Sequence, residues 1–190
     1  KRMAKSGILE VVATATPGIK DLLVLGRIRA LESEGVTDLI IVDAPAAGHA
    51  LGFLRSPAGV RDAARNGTIH RQAVDVLEFI GDPKRLQLML VTIAEETPIN
   101  ELIETSYAVE DDVGVKLAPV VINGVLPKCD GLDRSVARAK ASRDERSDLA
   151  QAAAFRASRA ALQDEQLDRL GTELPLPQVR MSQIFGTEIG

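Results

Sequence analysis

Residues Asp38 to Leu54 read D-L-I-I-V-D-A-P-A-A-G-H-A-L-G-F-L. Leu39 to Val42 is an unbroken apolar run with two β-branched isoleucines and a valine, the pattern of a strand covered on both faces in a parallel sheet. Asp43 ends the run, so its carboxylate is expected at the carboxyl end of that strand, the edge where open α/β sheets bind ligands. Pro45, two alanines and Gly48 follow, which keeps the backbone compact and open to close approach. A carboxylate at such a place suits a divalent cation held beside phosphate. It equally suits the capping of a following helix, and the pattern alone leaves both open.

Elements of both kinds alternate on either side of this stretch. Ile8 to Ala13 reads as a first short strand, closed by Pro17-Gly18. Ile19 to Glu34 has helical spacing, with Leu22, Leu23, Leu25, Ile28 and Leu31 on a broad face and Gly35 as its stop. Ser56-Pro57 reads as a helix start, with serine as cap and proline in the first turn. Ala58 to Ile80 then forms one or two helices, with Asn66-Gly67 as the interruption and His70 as a surface residue. Leu86 to Ile93 reads as a strand. Thr97-Pro98 opens a helix to about Glu110, with Glu95 and Glu96 placed where the positive end of its dipole favours acids. Glu110, Asp111 and Asp112 read as a solvated turn.

Ala118 to Asn123 is a second fully buried strand, ending in Asn123-Gly124. Asp133 to Leu170 is rich in Ala, Arg, Asp and Glu. Its part from Arg143 is expected to be an exposed helix laced with i,i+4 pairs, within a charged Ala-rich segment at 132–170. Leu174 to Met181 reads as a last edge strand flanked by prolines. Such alternation implies an α/β fold: a mostly parallel sheet with helices on both faces, forming one domain over 1–190. Asp43 and Asn123 would then end different strands at one edge and share a cleft.

The bulk composition narrows the function classes. The 190 residues carry a net charge of −4, with 45% hydrophobic and 26% charged residues, which is ordinary for a globular chain. The charge gives no general attraction to nucleic acid, and 3% aromatics with no Trp disfavour base-stacking platforms. The single Cys129 excludes an internal disulfide and a thiolate zinc site within one chain. No signal peptide or membrane-length apolar run is seen, so a cytoplasmic protein is expected. The first residue is Lys1 rather than Met, and the chain is read as the carboxyl-terminal part of a larger protein.

Four segments carry a family resemblance. D-A-P-A-A-G-H-A-L-G-F-L-R-S-P, from Asp43, resembles the D-T-A-P-T-G-H-T-L-R switch segment of the arsenical-pump and tail-anchored-protein-targeting (anion-transporting) ATPases. Asp43, Gly48, His49 and Leu51 fall on matching positions; the family's two threonines are Ala44 and Ala47, and the proline sits one place early at Pro45. P-G-I-K-D from Pro17, V-T-I-A-E-E-T-P-I-N-E from Val91 and V-V-I-N-G-V-L-P from Val120 are similar to further family segments, in the family's order. The tail from Ser182 resembles a loop that helps enclose the base, although Met181-Ser182 replace the usual proline-containing pair.

The resemblance implies a P-loop NTPase-like fold, incomplete here, in a dimeric ATPase that switches conformation around Mg²⁺ and ATP. It gives Asp43 the Mg²⁺ ion, through water, with Gly48 in the nucleotide site, and sets Asn123 against the adenine base. An amide suits that last task because it both donates and accepts. No G-x-x-x-x-G-K-[ST] phosphate loop occurs in the sequence, so no catalytic residue is assigned and this chain alone is expected not to hydrolyse ATP. The expected partners are ATP and a second copy or a related ATPase, with a membrane-protein client possible in the family. Such a client needs an exposed apolar groove, for which Ala58 to Leu90 is the place to look. Two alternatives remain: a degenerate, non-catalytic partner that regulates a true ATPase, and an unrelated small-molecule α/β enzyme, for which no G-x-S-x-G or acid/base pair is found.

Overall fold

The computed structural model describes residues 18–129, 131 and 148–186. The expected strand at Ile8 to Ala13, much of the charged segment from 132 and the last four residues lie outside them. Among the described residues five helices and five short strands follow in order: α1 (Ile19–Glu34), α2 (Ala47–Ala63), α3 (Thr68–Gly81), β1 (Gln87–Leu88), β2 (Val91–Ile93), α4 (Glu96–Asp112), β3 (Lys116–Leu117), β4 (Val120–Val125), α5 (Asp148–Glu173) and β5 (Gln178–Ser182). Every strand pair is parallel. The chain is α/β, consistent with an incomplete P-loop NTPase-like fold.

The described residues group into two compact units. One holds the described residues up to Leu88 together with Thr105–Leu117; the other holds Met89–Glu104 and the described residues from Ala118.

In the first unit α1, α2 and α3 pack pairwise on one another. Their interior comprises Leu22 and Leu25, Leu54, Pro57 and Val60, and Ala73, Val76, Phe79 and Ile80. Of the broad α1 face expected from spacing, Leu23 and Leu31 are exposed. Helix α1 ends at Gly35 as expected, with φ +62, and Gly67 at φ +99 separates α2 from α3. Of the apolar residues in the Ala58–Leu90 segment, Val60, Ala73, Val76, Phe79 and Ile80 lie in this core, whereas Ile69 and Met89 are exposed.

Two expectations fail in this unit. Leu39 to Val42 form no strand: among the described residues nothing pairs with them, and Leu39 and Ile41 are 75% and 84% exposed. A β-branched apolar run supplies the preference for a strand, but the ladder needs a neighbour. Ser56-Pro57 does not start a helix either; both residues lie inside α2. Proline lacks the N–H that would bond the carbonyl four residues back, that of Phe53. The Ser56 hydroxyl donates to this same Phe53 carbonyl at 2.8 Å, which keeps it satisfied.

Arg85 fastens the segment after α3 to the end of α1. Its Nε and Nη2 donate to the two Glu32 carboxylate oxygens at 3.0 and 2.5 Å, and its guanidinium lies 5.0 Å from the centre of the Phe79 ring. The hydrogen bond from Arg85 holds the Glu32 carboxyl below the ordinary value of 4.5, and Glu32 in turn raises Arg85. In the same unit Arg55 pairs with Asp112 at the end of α4. The acidic cluster at Glu110 to Asp112 is thus the last turn of a helix rather than a free turn.

The second unit contains a three-stranded sheet of order β2-β4-β5. Val120 and Ile122 of β4 point to a core completed by Ile99, Leu102 and Ile103 of α4 and Leu167, Leu170 and Leu174, which lie on or just past α5. Complete burial of a side chain such as Ile122 contributes about 1.5–3 kcal/mol. The opposite face carries Val91, Ile93, Val179 and Met181, all 41–65% exposed. Helices α4 and α5 cover the face that carries Val120 and Ile122.

The Leu86–Ile93 stretch, expected as one strand, is two. β1 pairs with β3 (Gln87↔Lys116), whereas β2 pairs with β4 one residue out of that register (Val91↔Val121). Pro119 lies between β3 and β4 and offers no N–H to a ladder. No helix among the described residues is long and apolar enough to cross a membrane.

Two outcomes are expected here. Ser56→Ala strands the Phe53 carbonyl beside Pro57 and lowers stability by about 1 kcal/mol, read from chemical denaturation. Glu32 has a depressed folded pKa, so its stabilising effect is present above the unfolded carboxyl value and is lost as pH falls through the folded one. The melting-temperature gap between wild type and Glu32→Gln should accordingly be open at neutral pH and close below about pH 4.

Candidate functional site

Asp43 and Gly48 belong to the first unit and Asn123 to the second. Asp43 is exposed in the irregular segment before α2. Gly48 lies in the first turn of α2, where His49 and Ala50 N–H donate to the Ala46 carbonyl at 2.9 and 3.0 Å. No side chain caps this helix, and its first turn carries no acid. Its positive end is left to favour an anion from elsewhere. A Cβ added at Gly48 would meet nothing within 4 Å, so packing within the chain does not require glycine there.

No group of three or more His, Cys, Asp or Glu among the described residues could hold a metal ion. Mg²⁺ commonly takes only one or two protein carboxylates and completes its shell with water and phosphate oxygens. One exposed Asp43 beside an uncapped helix start fits that mode of binding and would not fit a dedicated metal cage. His70, whose Nδ1 lies 3.2 Å from the Arg61 carbonyl, is not part of a ligand cluster. Cys129 is a free, exposed thiol.

Asn123 occupies the carboxyl half of β4, opposite Ile93. Its Oδ1 accepts from the Gly124 N–H at 2.9 Å, and Gly124 has φ +66. Both residues lie within β4, and this contact accompanies the shift of its register with β5 between Ile122 and Val125. It does not exhaust the amide, which keeps a second acceptor lone pair and two donors. Gly124 is also close to β5: a Cβ there would lie 3.2 Å from Gln183 Oε1. Gln183 N–H in turn donates to the Val125 carbonyl at 2.8 Å, joining the loops that leave β4 and β5.

Helix α5 closes over this edge. Gln163 Oε1 accepts from Leu126 N–H at 2.8 Å, Arg156 donates to the Pro127 carbonyl at 3.2 Å, and Arg159 pairs with Glu95 at 2.6 Å. Arg156 also lies 5.2 Å from the centre of the Phe185 ring. The spacing of α5 suggests an exposed helix with internal i,i+4 pairs, and Arg169–Glu173 is such a pair. The arginines at 156 and 159 reach instead for strand-end loops, a role their interleaving with acids conceals. Likewise Glu96 opens α4 as expected, while the contact of Glu95 with α5 has no signal in local sequence. The exposed Arg159–Glu95 pair is worth about 0.2–1 kcal/mol at most, so its contribution is orientation more than stability.

No protein-family model matches the chain. Among curated proteins, it is 29% identical over 135 residues to ATPase BagA of Mycobacterium tuberculosis, covering 67% of this chain and 38% of that protein. A Mycobacterium bovis protein named as an ATPase matches to the same extent. A Halobacterium salinarum protein named as an arsenical pump-driving ATPase is 25% identical over 121 residues, 60% of this chain and 19% of its own length. The chain is thus similar to ATPases and spans less than two fifths of the length of these relatives.

Gly124→Ala places a Cβ in a left-handed conformation and against Gln183. It is expected to cost about 1–2 kcal/mol in denaturant unfolding, with circular dichroism unchanged.

Proposed function

We propose that this chain is part of an ATP-binding, ATP-hydrolysing ATPase of the anion-transporting kind. In this reading it couples bound Mg²⁺ and ATP to a conformational switch within a dimer of like or related subunits. The observation that carries the reading is the similarity to ATPases over two thirds of the chain. The parallel sheet supports it, with Asn123 toward the carboxyl end of its central strand, the edge at which such sheets take ligands.

Asp43 would meet Mg²⁺ through water, with the amides around Gly48 near phosphate oxygens and the Asn123 amide reading the base. Mg²⁺ would neutralise phosphate charge. The chain's own residues would orient the nucleotide and supply no nucleophile or general base. No phosphate-loop lysine is present in the sequence, so hydrolysis would need a loop from outside these 190 residues. Ala44 and Ala47, where the family carries threonines, favour a second reading in which the chain is a non-hydrolysing partner of a true ATPase.

The test is ATP turnover and equilibrium ATP binding by the full natural protein. Asp43→Asn should abolish Mg²⁺-dependent turnover. Asn123→Ala should weaken ATP binding about tenfold, the scale of one to two lost hydrogen bonds. The 190-residue chain alone should show no turnover; turnover by it that Asp43→Asn abolishes would overturn the assignment. Binding without turnover in the full natural protein would select the second reading.

A further inference from the structure

The inner face of α5 changes chemistry along its length. Leu167 and Leu170 are buried in the sheet core, followed just past the helix by Leu174. The same face runs back through Gln163, Arg159 and Arg156, at spacings of four and three residues. Where the leucines end, the sheet's carboxyl edge begins, and these polar side chains reach every loop that leaves it. Arg159 takes Glu95, after β2. Gln163 and Arg156 take Leu126 and Pro127, after β4. Arg156 also takes Phe185, after β5.

Gln163 is 7% exposed, and a glutamine buried that far is costly unless bonded, so its contact with Leu126 is a fixed part of the packing. One guanidinium, that of Arg156, serves two loops at once. We propose that Arg156, Arg159 and Gln163 are positioning residues that clamp the three carboxyl-edge loops into one unit, and so hold Asn123 in place for a nucleotide base. The proposal rests on the nucleotide reading above. The clamp does not touch the ligand; it acts through the loops.

The decisive experiment is hydrogen–deuterium exchange on the full natural protein, with Mg·ATP affinity measured in parallel. The variants are Arg156→Gln, Arg156→Lys, Arg159→Glu, and Arg159→Glu combined with Glu95→Arg. Arg156→Gln should speed exchange at least about fivefold in both 126–129 and 183–186, leave 164–173 unchanged, and weaken ATP binding about tenfold. Arg156→Lys keeps the charge without the planar fork and should rescue neither loop. Arg159→Glu should loosen 95–97, and the charge-swapped pair should restore it.

Exchange rising in only one loop with Arg156→Gln, or a swap that restores nothing, overturns the clamp. Loops that loosen while ATP affinity stays the same overturn its positioning role. A wild-type protein that binds no ATP overturns the nucleotide reading and the positioning role with it, and the exchange rates still decide the clamp.

Discussion

The second unit depends on the register of β4, the one strand among the described residues paired on both sides. Its residues alternate between a closed face and an open one, so a slip of a single position would exchange the two. Val120 and Ile122 would leave the core, and Asn123 would turn into it. The buried leucines around α5 and the isoleucines of α4 hold the register from one side. Pro119, just before the strand, removes a donor that could support the neighbouring register of β1 and β3. The position of every carboxyl-edge residue follows from that one alignment.

Local exceptions in this chain are resolved by neighbours close in sequence. Proline inside α2 is tolerated because the residue beside it supplies a hydroxyl to the carbonyl that proline leaves unpaired. Gly124 takes a left-handed conformation within β4, where Asn123 bonds its N–H. In each case the side chain that repairs the backbone is adjacent to the residue that disturbs it. The long-range ties, Arg85 to Glu32 and Arg159 to Glu95, join surface side chains 53 and 64 residues apart.

That difference in range explains what could be read from sequence. Helix α1 and its stop at Gly35, the break at Gly67 and the parallel character of the sheet follow from periodicity and turn chemistry. Asn123 falls near a strand end because a buried run stops there. The helix start at Ser56 was misleading because the same serine-proline pair suits a cap and an internal repair. Leu39 to Val42 has a strand's composition without a ladder, since composition reports preference and pairing requires a partner. The contacts of Arg156, Arg159 and Glu95 had no local signature at all, because each joins segments far apart in the chain.

The exposed run from Leu39 to Val42 has one further consequence. It is a short, uncharged, β-prone window open to solvent, the kind of segment that adds to a strand edge of another molecule. Aspartates stand at both of its ends, Asp38 and Asp43. Charges so placed act as gatekeepers, since stacking copies of the window would bring like charges together. Asp43 therefore serves colloidal stability as well as any ligand, and neutralising it removes half of the charge that keeps this window from self-association.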